Sequence, residues 1–109
     1  MLFRSGSNNT AVGRSSLGAN TTASDNVAIG YHALKVNTTG TRNVAVGSLA
    51  LDANTTADNN IAIGAQALGA NTTGTKNTSV GTFALDANTT ADENTAIGYN
   101  ALKIGRAHV

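Results

Sequence analysis

A five-residue motif recurs six times along this chain, and each copy begins seventeen positions after the previous one. Positions of the repeat are counted here from the first residue of the motif, an Asn. Position 4 is Val or Ile in every copy, position 5 is Gly, and position 9 is Leu. The copies, NTAVG, NVAIG, NVAVG, NIAIG, NTSVG and NTAIG, start at Asn9, Asn26, Asn43, Asn60, Asn77 and Asn94. So strict a period means that each unit is one structural element stacked on the next.

The length and composition of the unit favour strands over helices. A helical repeat needs ~33 residues or more, and Asn, Thr and Gly are poor helix formers. Short β-branched runs bounded by Asn and Gly are typical of strands. We therefore predict an all-β, parallel β-solenoid of about six turns over residues 6–103, with equivalent residues of successive turns ~4.8 Å apart.

Successive side chains of a strand face opposite sides, which leads to a predicted core. We expect positions 2 and 4 to point inward, together with Leu at position 9. Ala at position 3 then faces outward, where it either packs closely against another chain or keeps a strand corner thin. The predicted core is Val12, Ile29, Val46, Ile63, Val80 and Ile97 at position 4, with Leu17, Leu34, Leu51, Leu68, Leu85 and Leu102 at position 9.

Two further positions are predicted at the corners of each turn. Gly at position 5 suits a positive φ or a close approach of backbones. Asn at position 12 tolerates the left-handed region and has an amide that bonds to the same amide one turn on. These corner residues are Gly13, Gly30, Gly47, Gly64, Gly81 and Gly98, with Asn20, Asn37, Asn54, Asn71 and Asn88.

The repeat fails at both ends of the sequence. Residues 2–5, Leu-Phe-Arg-Ser, and residues 104–109, Ile-Gly-Arg-Ala-His-Val, back-translate to strings that look like short-read sequencing adaptors. Phe3 stands where Asn is expected at position 12, and so does Gly105. We therefore expect residues 1–5 and 104–109 to be non-natural, and the remainder to be a fragment of a longer array.

A second rhythm of two turns overlies the first. Positions 15 and 16 read Ala-Ser, Gly-Thr, Ala-Asp, Gly-Thr and Ala-Asp in consecutive turns. Position 17 reads Asp25, Arg42, Asn59, Lys76 and Glu93. Like charges stacked on neighbouring strands destabilise a sheet, so we interpret the alternation as a tuned solvent face whose true unit is a pair of turns.

The segments NVAIGYHAL, NIAIGAQAL and NTAIGYNAL resemble the head repeats of trimeric autotransporter adhesins, which carry an N-x-A-I-G-x-x-A pattern. The resemblance covers positions 1 to 9 of all six copies, although the familiar repeat is slightly shorter than this one. It implies a left-handed β-roll, packing as a homotrimer, and attachment at the bacterial cell surface, outside the cell. Similar repeats occur in phage tail fibres, so a tail-fibre shaft on a virion is the alternative. The ligand, a host surface or matrix component, is not specified by the sequence.

No catalytic residue, cofactor or metal site is predicted. His32 occupies the variable position 7 and is read as an exposed residue, and the acidic residues do not form a calcium-binding motif. Low charge and few aromatics argue against nucleic acid, and no run approaches the ~18 apolar residues of a membrane span. We also expect the strand edges at the ends of the array to favour end-to-end stacking.

Two uses of the Asn and Thr positions remain open. The Asn-Thr-Thr triplets at positions 12–14 are N-glycosylation sequons, or else they only build corner ladders. Thr rows on a flat solenoid face are also a means of binding ice. Because adjacent Thr residues point to opposite faces, we expect one continuous row here and not a two-row array.

Overall fold

The computed structural model describes residues 6–102, so both predicted non-natural ends lie outside the described residues. Within this range the chain is all-β, and six three-residue strands form one parallel sheet in sequence order. Each strand pairs with the next in a register of one full repeat, for example Val44 with Ile61. The strands are β1 Thr10–Val12, β2 Val27–Ile29, β3 Val44–Val46, β4 Ile61–Ile63, β5 Thr78–Val80 and β6 Thr95–Ile97.

The other sides of each turn are closed by tight turns that are also bonded to their neighbours. The Ala67 amide donates to the carbonyl of Gly64 within its own turn, at 3.1 Å. The Leu51 amide donates to the Ala67 carbonyl one turn on, at 3.1 Å. The predicted parallel β-solenoid is therefore confirmed. No helix in residues 6–102 is long and apolar enough to cross a membrane.

The Leu ladder at position 9 forms the core, as predicted. The five Leu side chains from Leu17 to Leu85 are no more than 2% exposed, and Leu102 is partly buried against the same cluster. Buried Ala side chains at positions 3 and 8 complete this cluster, including Ala45 and Ala50 at 0% exposure. The four turns between residues 26 and 93 therefore each bury one large aliphatic side chain and two small side chains.

The predicted inward orientation of position 4 is wrong. Position 3 points inward, and the flanking positions 2 and 4 face outward; Ala62 is fully buried whereas Ile63 is 40% exposed. Val12 and Ile97 are 57% and 71% exposed, Ile29 is exposed, and Val46 and Val80 are half-buried. The position-4 residues that are corrected in this way are Val12, Ile29, Val46, Ile63, Val80 and Ile97.

Two features of the cross-section explain this inversion. Position 3 and the position-9 Leu belong to one buried cluster. The interior of the thin coil therefore holds a large Leu side chain from one wall and a small Ala side chain from the strand that faces it. Burying position 3 also brings position 1 inside, since both lie on the same face of the strand. Position 1 is Asn in every copy, and its side chain finds hydrogen-bond partners there.

Two ladders of Asn fill the other half of the interior. At position 12, the Asn54 amide donates to the Asn37 Oδ1 at 2.9 Å and to the Ala57 carbonyl at 3.1 Å. At position 1, the Asn43 side chain donates to the same Ala57 carbonyl at 2.8 Å, and its Oδ1 accepts from the backbone amide of Asn60 at 2.9 Å. Buried polar groups are stable only when hydrogen-bonded, and this network supplies the bonds.

The predicted corner roles are confirmed for Gly and partly for Asn. Gly at position 5 has φ between 123° and 135° in all six copies, and a Cβ on Gly64 would lie 2.6 Å from the Gly81 carbonyl carbon. Asn at position 12 forms the predicted amide ladder but does not have a positive φ. The left-handed residues lie instead at positions 7, 9 and 17, such as Leu49, Leu51 and Asn59.

Candidate interaction surface

A row of apolar side chains lies on the outer sheet face, which is formed by positions 2 and 4 of the six strands. It runs along all described turns and carries Val or Ile at position 4 throughout. Ile29, Ile61, Ile63 and Ile97 are among the exposed large hydrophobic residues. Large contiguous apolar patches are rare on monomeric soluble proteins and mark interaction sites.

A second surface, the variable wall, comprises positions 6, 7 and 10 and differs from turn to turn. Position 7 has φ near 60° in every turn, and its side chain is half-buried in all six. Tyr31 and His32 stack with ring centroids 3.7 Å apart, and Phe83 meets Tyr99 edge-on at 6.2 Å. None of these side chains belongs to the buried core cluster, so the core does not constrain their identity.

A cavity of about 250 Å³ interrupts the variable wall at Gly69. Position 10 holds Asp52 one turn before and Asp86 one turn after this Gly, so the missing side chain leaves a hollow between two carboxylates. Its volume is below the ~300–1,000 Å³ of ordinary ligand pockets. The lining residues are Leu49, Asp52, Gln66, Gly69, Ala70 and Asp86.

The charged groups of this wall influence one another. Desolvation lowers the pKa of the His32 imidazole, and the charges of Lys35 and Arg14 act in the same direction. Burial raises the pKa of the Asp52 carboxyl, although His32 and Lys35 oppose this shift. The shifts have ordinary electrostatic causes, and no nucleophile is hydrogen-bonded to His32 in the described chain. His32 lies outside the core cluster but is half-buried, so the prediction of an exposed residue holds only in part.

The Thr residues of the outer corner form one exposed row. Position 14 is exposed in all five turns, at Thr22, Thr39, Thr56, Thr73 and Thr90. Position 13 is half-buried in four of the five turns, and its hydroxyl is used within the coil, as when Thr38 Oγ1 donates to the Thr55 carbonyl at 3.2 Å. The expectation of a single Thr row agrees with this arrangement.

The sequons at position 12 are closed to modification in the folded chain. Asn37, Asn54 and Asn71 are 0% exposed and their amides are hydrogen-bonded. Asn20 and Asn88 are no more than 2% exposed. A glycan on these amides requires an accessible nitrogen, so the corner-ladder interpretation is the one that the folded coil permits.

The described residues contain no group of three or more His, Asp or Glu side chains placed to hold a metal ion. Sequence reasoning missed two features of the surface, namely the outward Val and Ile and the left-handed position 7. The invariant Asn at position 1 was an available signal for the first, since a buried Asn ladder requires position 3 to be inward as well.

Comparisons with protein-family models, with curated proteins and with solved structures found no match for this chain.

Proposed function

We propose that this chain is a non-enzymatic segment of a bacterial cell-surface adhesin head that associates with copies of itself through the outer sheet face. The observation that carries the proposal is the outward row of Val and Ile at position 4 of a parallel sheet, exposed in four strands and half-buried in two. The resemblance of the NVAIG motif to adhesin head repeats supports the same assignment. In a homotrimer the three outer sheet faces would meet at a common axis and lose their contact with water.

The mechanism proposed is presentation of a repetitive surface. Association through the outer sheet face leaves the variable wall and the outer corner facing solvent. A rod that repeats its surface chemistry every turn offers many weak contacts at once, and linked contacts raise the overall affinity far above that of any one. The side chains of the variable wall differ between turns, which favours a ligand-presenting head over a plain fibre shaft.

Sedimentation equilibrium tests the self-association directly. The natural chain is expected to sediment as a trimer, and the double variant Ile29→Thr/Ile63→Thr as a monomer with an unchanged β spectrum. Thr already occupies the outer sheet face at Thr10 and Thr78, so the strands tolerate it. Val36→Thr is the matched control, because Val36 is also exposed but lies on another side of the coil. A natural chain that remains monomeric at high concentration would refute the assembly.

Adhesion itself is tested with beads that carry the purified chain or the monomeric variant. The proposal predicts that natural-chain beads bind a panel of extracellular matrix proteins or immobilised glycans, and that the monomeric variant binds weakly. Absence of binding across the panel would contradict the adhesive role while leaving the assembly result intact. The full-length gene then separates a membrane-anchored adhesin from a phage tail fibre.

A further inference from the structure

Hydrogen bonding between consecutive turns differs from boundary to boundary along the outer corner, which is defined as positions 13–16. Turn 2 spans residues 26–42 and turn 3 spans residues 43–59. Between them, the Asp58 carboxylate accepts from the backbone amide of Thr41 at 2.7 Å and from its hydroxyl at 3.1 Å. Hydrogen bonds to a charged acceptor are roughly twice as strong as neutral ones, so this contact clamps the two turns together.

The same clamp recurs between turn 4, residues 60–76, and turn 5, residues 77–93. The Asp92 carboxylate accepts from the Thr75 amide at 2.8 Å and from the Thr75 hydroxyl at 3.3 Å. Beside it, Thr72 donates both its amide and its hydroxyl to the Thr89 carbonyl, at 2.9 and 3.2 Å. The second clamp lies one two-turn unit after the first.

The boundary between turns 3 and 4 lacks this clamp. Position 16 is Asp58 in turn 3 and Thr75 in turn 4, the reverse order, and no hydrogen bond joins positions 13–16 of these two described turns. The backbone bond from the Lys76 amide to the Asp58 carbonyl is 3.3 Å long. The equivalent bond across the clamped boundary, from Asn59 to Thr41, is 3.0 Å.

The Gly and Ala residues of position 15 account for the difference. A Cβ on Gly40 would overlap the Ala57 carbonyl oxygen, and a Cβ on Gly74 would overlap that of Ala91. The Gly turns therefore admit the following turn at close range, where its Asp reaches the Thr. Turn 3 has Ala57 at this position. Its Cβ occupies the space into which the next turn would have to move for a close approach, as the next turn does beside Gly40 and Gly74.

We propose that the coil opens in units of two turns and parts first between turns 3 and 4. The sheet-side hydrogen bonds are alike at every boundary, but the outer corner has no hydrogen bond between the described turns 3 and 4. Between turn 1, residues 9–25, and turn 2 the Asp clamp is also absent, but Thr21 donates its amide and its hydroxyl to the Thr38 carbonyl, at 3.4 and 3.1 Å. A disturbance that separates turns, such as a pull along the rod, then breaks the unclamped boundary while each two-turn unit stays closed. This device goes beyond the proposed function and does not depend on what the rod binds.

Amide hydrogen exchange on the intact chain tests the proposal at three equivalent sites. The amides of Gly47, Gly64 and Gly81 each make a 2.7 Å bond on the sheet side, and only that of Gly64 crosses the unclamped boundary. Exchange reports the free energy of local opening. We expect the Gly64 amide to exchange about tenfold faster than the other two. At the clamped boundaries that the Gly47 and Gly81 amides cross, several additional hydrogen bonds must break before the turns separate. Equal or slower exchange at Gly64 would overturn the proposal.

A variant extends the test to the clamp itself. Gly74→Ala inserts the Cβ that turn 5 cannot accommodate, so the Gly81 amide is expected to exchange as fast as the Gly64 amide. Gly69→Ala is the matched control, because its Cβ meets nothing nearer than the Gln66 carbonyl oxygen at 3.1 Å. An unchanged Gly81 rate in Gly74→Ala would also overturn the proposal, and a variant that fails to fold leaves the natural-chain comparison to decide.

Discussion

The inward Ala and outward Ile of strand β4 lead to opposite predictions for two adjacent substitutions. Ala62 is fully buried between its register partners Ala45 and Ser79. Ala62→Val adds two methyl groups there, and overpacking of this kind costs about 1–3 kcal/mol. Ile63 is 40% exposed, so Ile63→Ala is expected to change the free energy of unfolding by no more than about 0.5 kcal/mol.

Thermal unfolding followed by circular dichroism measures the contrast. In a domain of this size, 1 kcal/mol corresponds to about 4–8 °C in Tm, so Ala62→Val should lower Tm by roughly 4–24 °C. Ile63→Ala should lower it by less than about 4 °C. The measurement is made at dilutions where sedimentation shows a single monomeric species, because assembly would bury Ile63. If Ile63→Ala costs about 2–5 kcal/mol and Ala62→Val is neutral, the assigned orientation of the strand is wrong.

Three further substitutions test the interior and the variable wall by the same melting assay. Asn54→Ala leaves the buried Asn37 Oδ1 without its donor, and is expected to cost about 1–3 kcal/mol, whereas the exposed control Thr56→Ala should be nearly neutral. Burial raises the pKa of Asp52 above its usual 3.8, so the ionised carboxylate disfavours folding. Asp52→Asn should therefore raise Tm at pH 7. The gain should vanish below pH 3.8, where the carboxyl is protonated in both the folded and the unfolded chain. Gly64→Ala forces a Cβ onto a residue with φ of 129°, and a loss of less than about 1 kcal/mol would contradict the close approach of turns.

The architecture could be predicted because it depends on period alone. A constant spacing between copies, with Leu at position 9 in every copy, determines both the stacking and one wall of the core. The Gly of position 5 was also predictable, since an invariant Gly next to a strand indicates a special φ or a close contact.

The strand orientation could not be predicted from hydrophobicity. Val and Ile are buried more often than Ala in most proteins, and that preference favours Val46 over Ala45 for the core. A narrow coil reverses the preference, because the Leu of the facing wall and two Asn ladders already fill the interior. The outward strip that results is the surface on which the proposed assembly depends.

The two-turn rhythm was visible in the sequence, but its cause was not. Alternation of charge at position 17 suggested a tuned solvent face. The structure links the rhythm instead to position 15, where Gly40 and Gly74 admit the next turn, and to position 16, where Asp58 bonds to Thr41. A hydrogen bond such as that between Asp58 and Thr41 depends on the distance between the two turns at the outer corner. The repeat pattern alone does not give that distance.

The one-repeat register of the parallel strands is the central claim, and engineered disulfides test it most directly. Val46 and Ile63 are register partners on the outer sheet face, and neighbouring strands place Cα atoms ~4.8 Å apart, within the range of a disulfide. The chain has no Cys, so Val46→Cys/Ile63→Cys should form an intramolecular disulfide under mild oxidation. Val46→Cys/Val80→Cys, two strands apart at ~9.6 Å, should not. Failure of the first pair to close in the dilute monomer, or equal closure of both pairs, would contradict the solenoid.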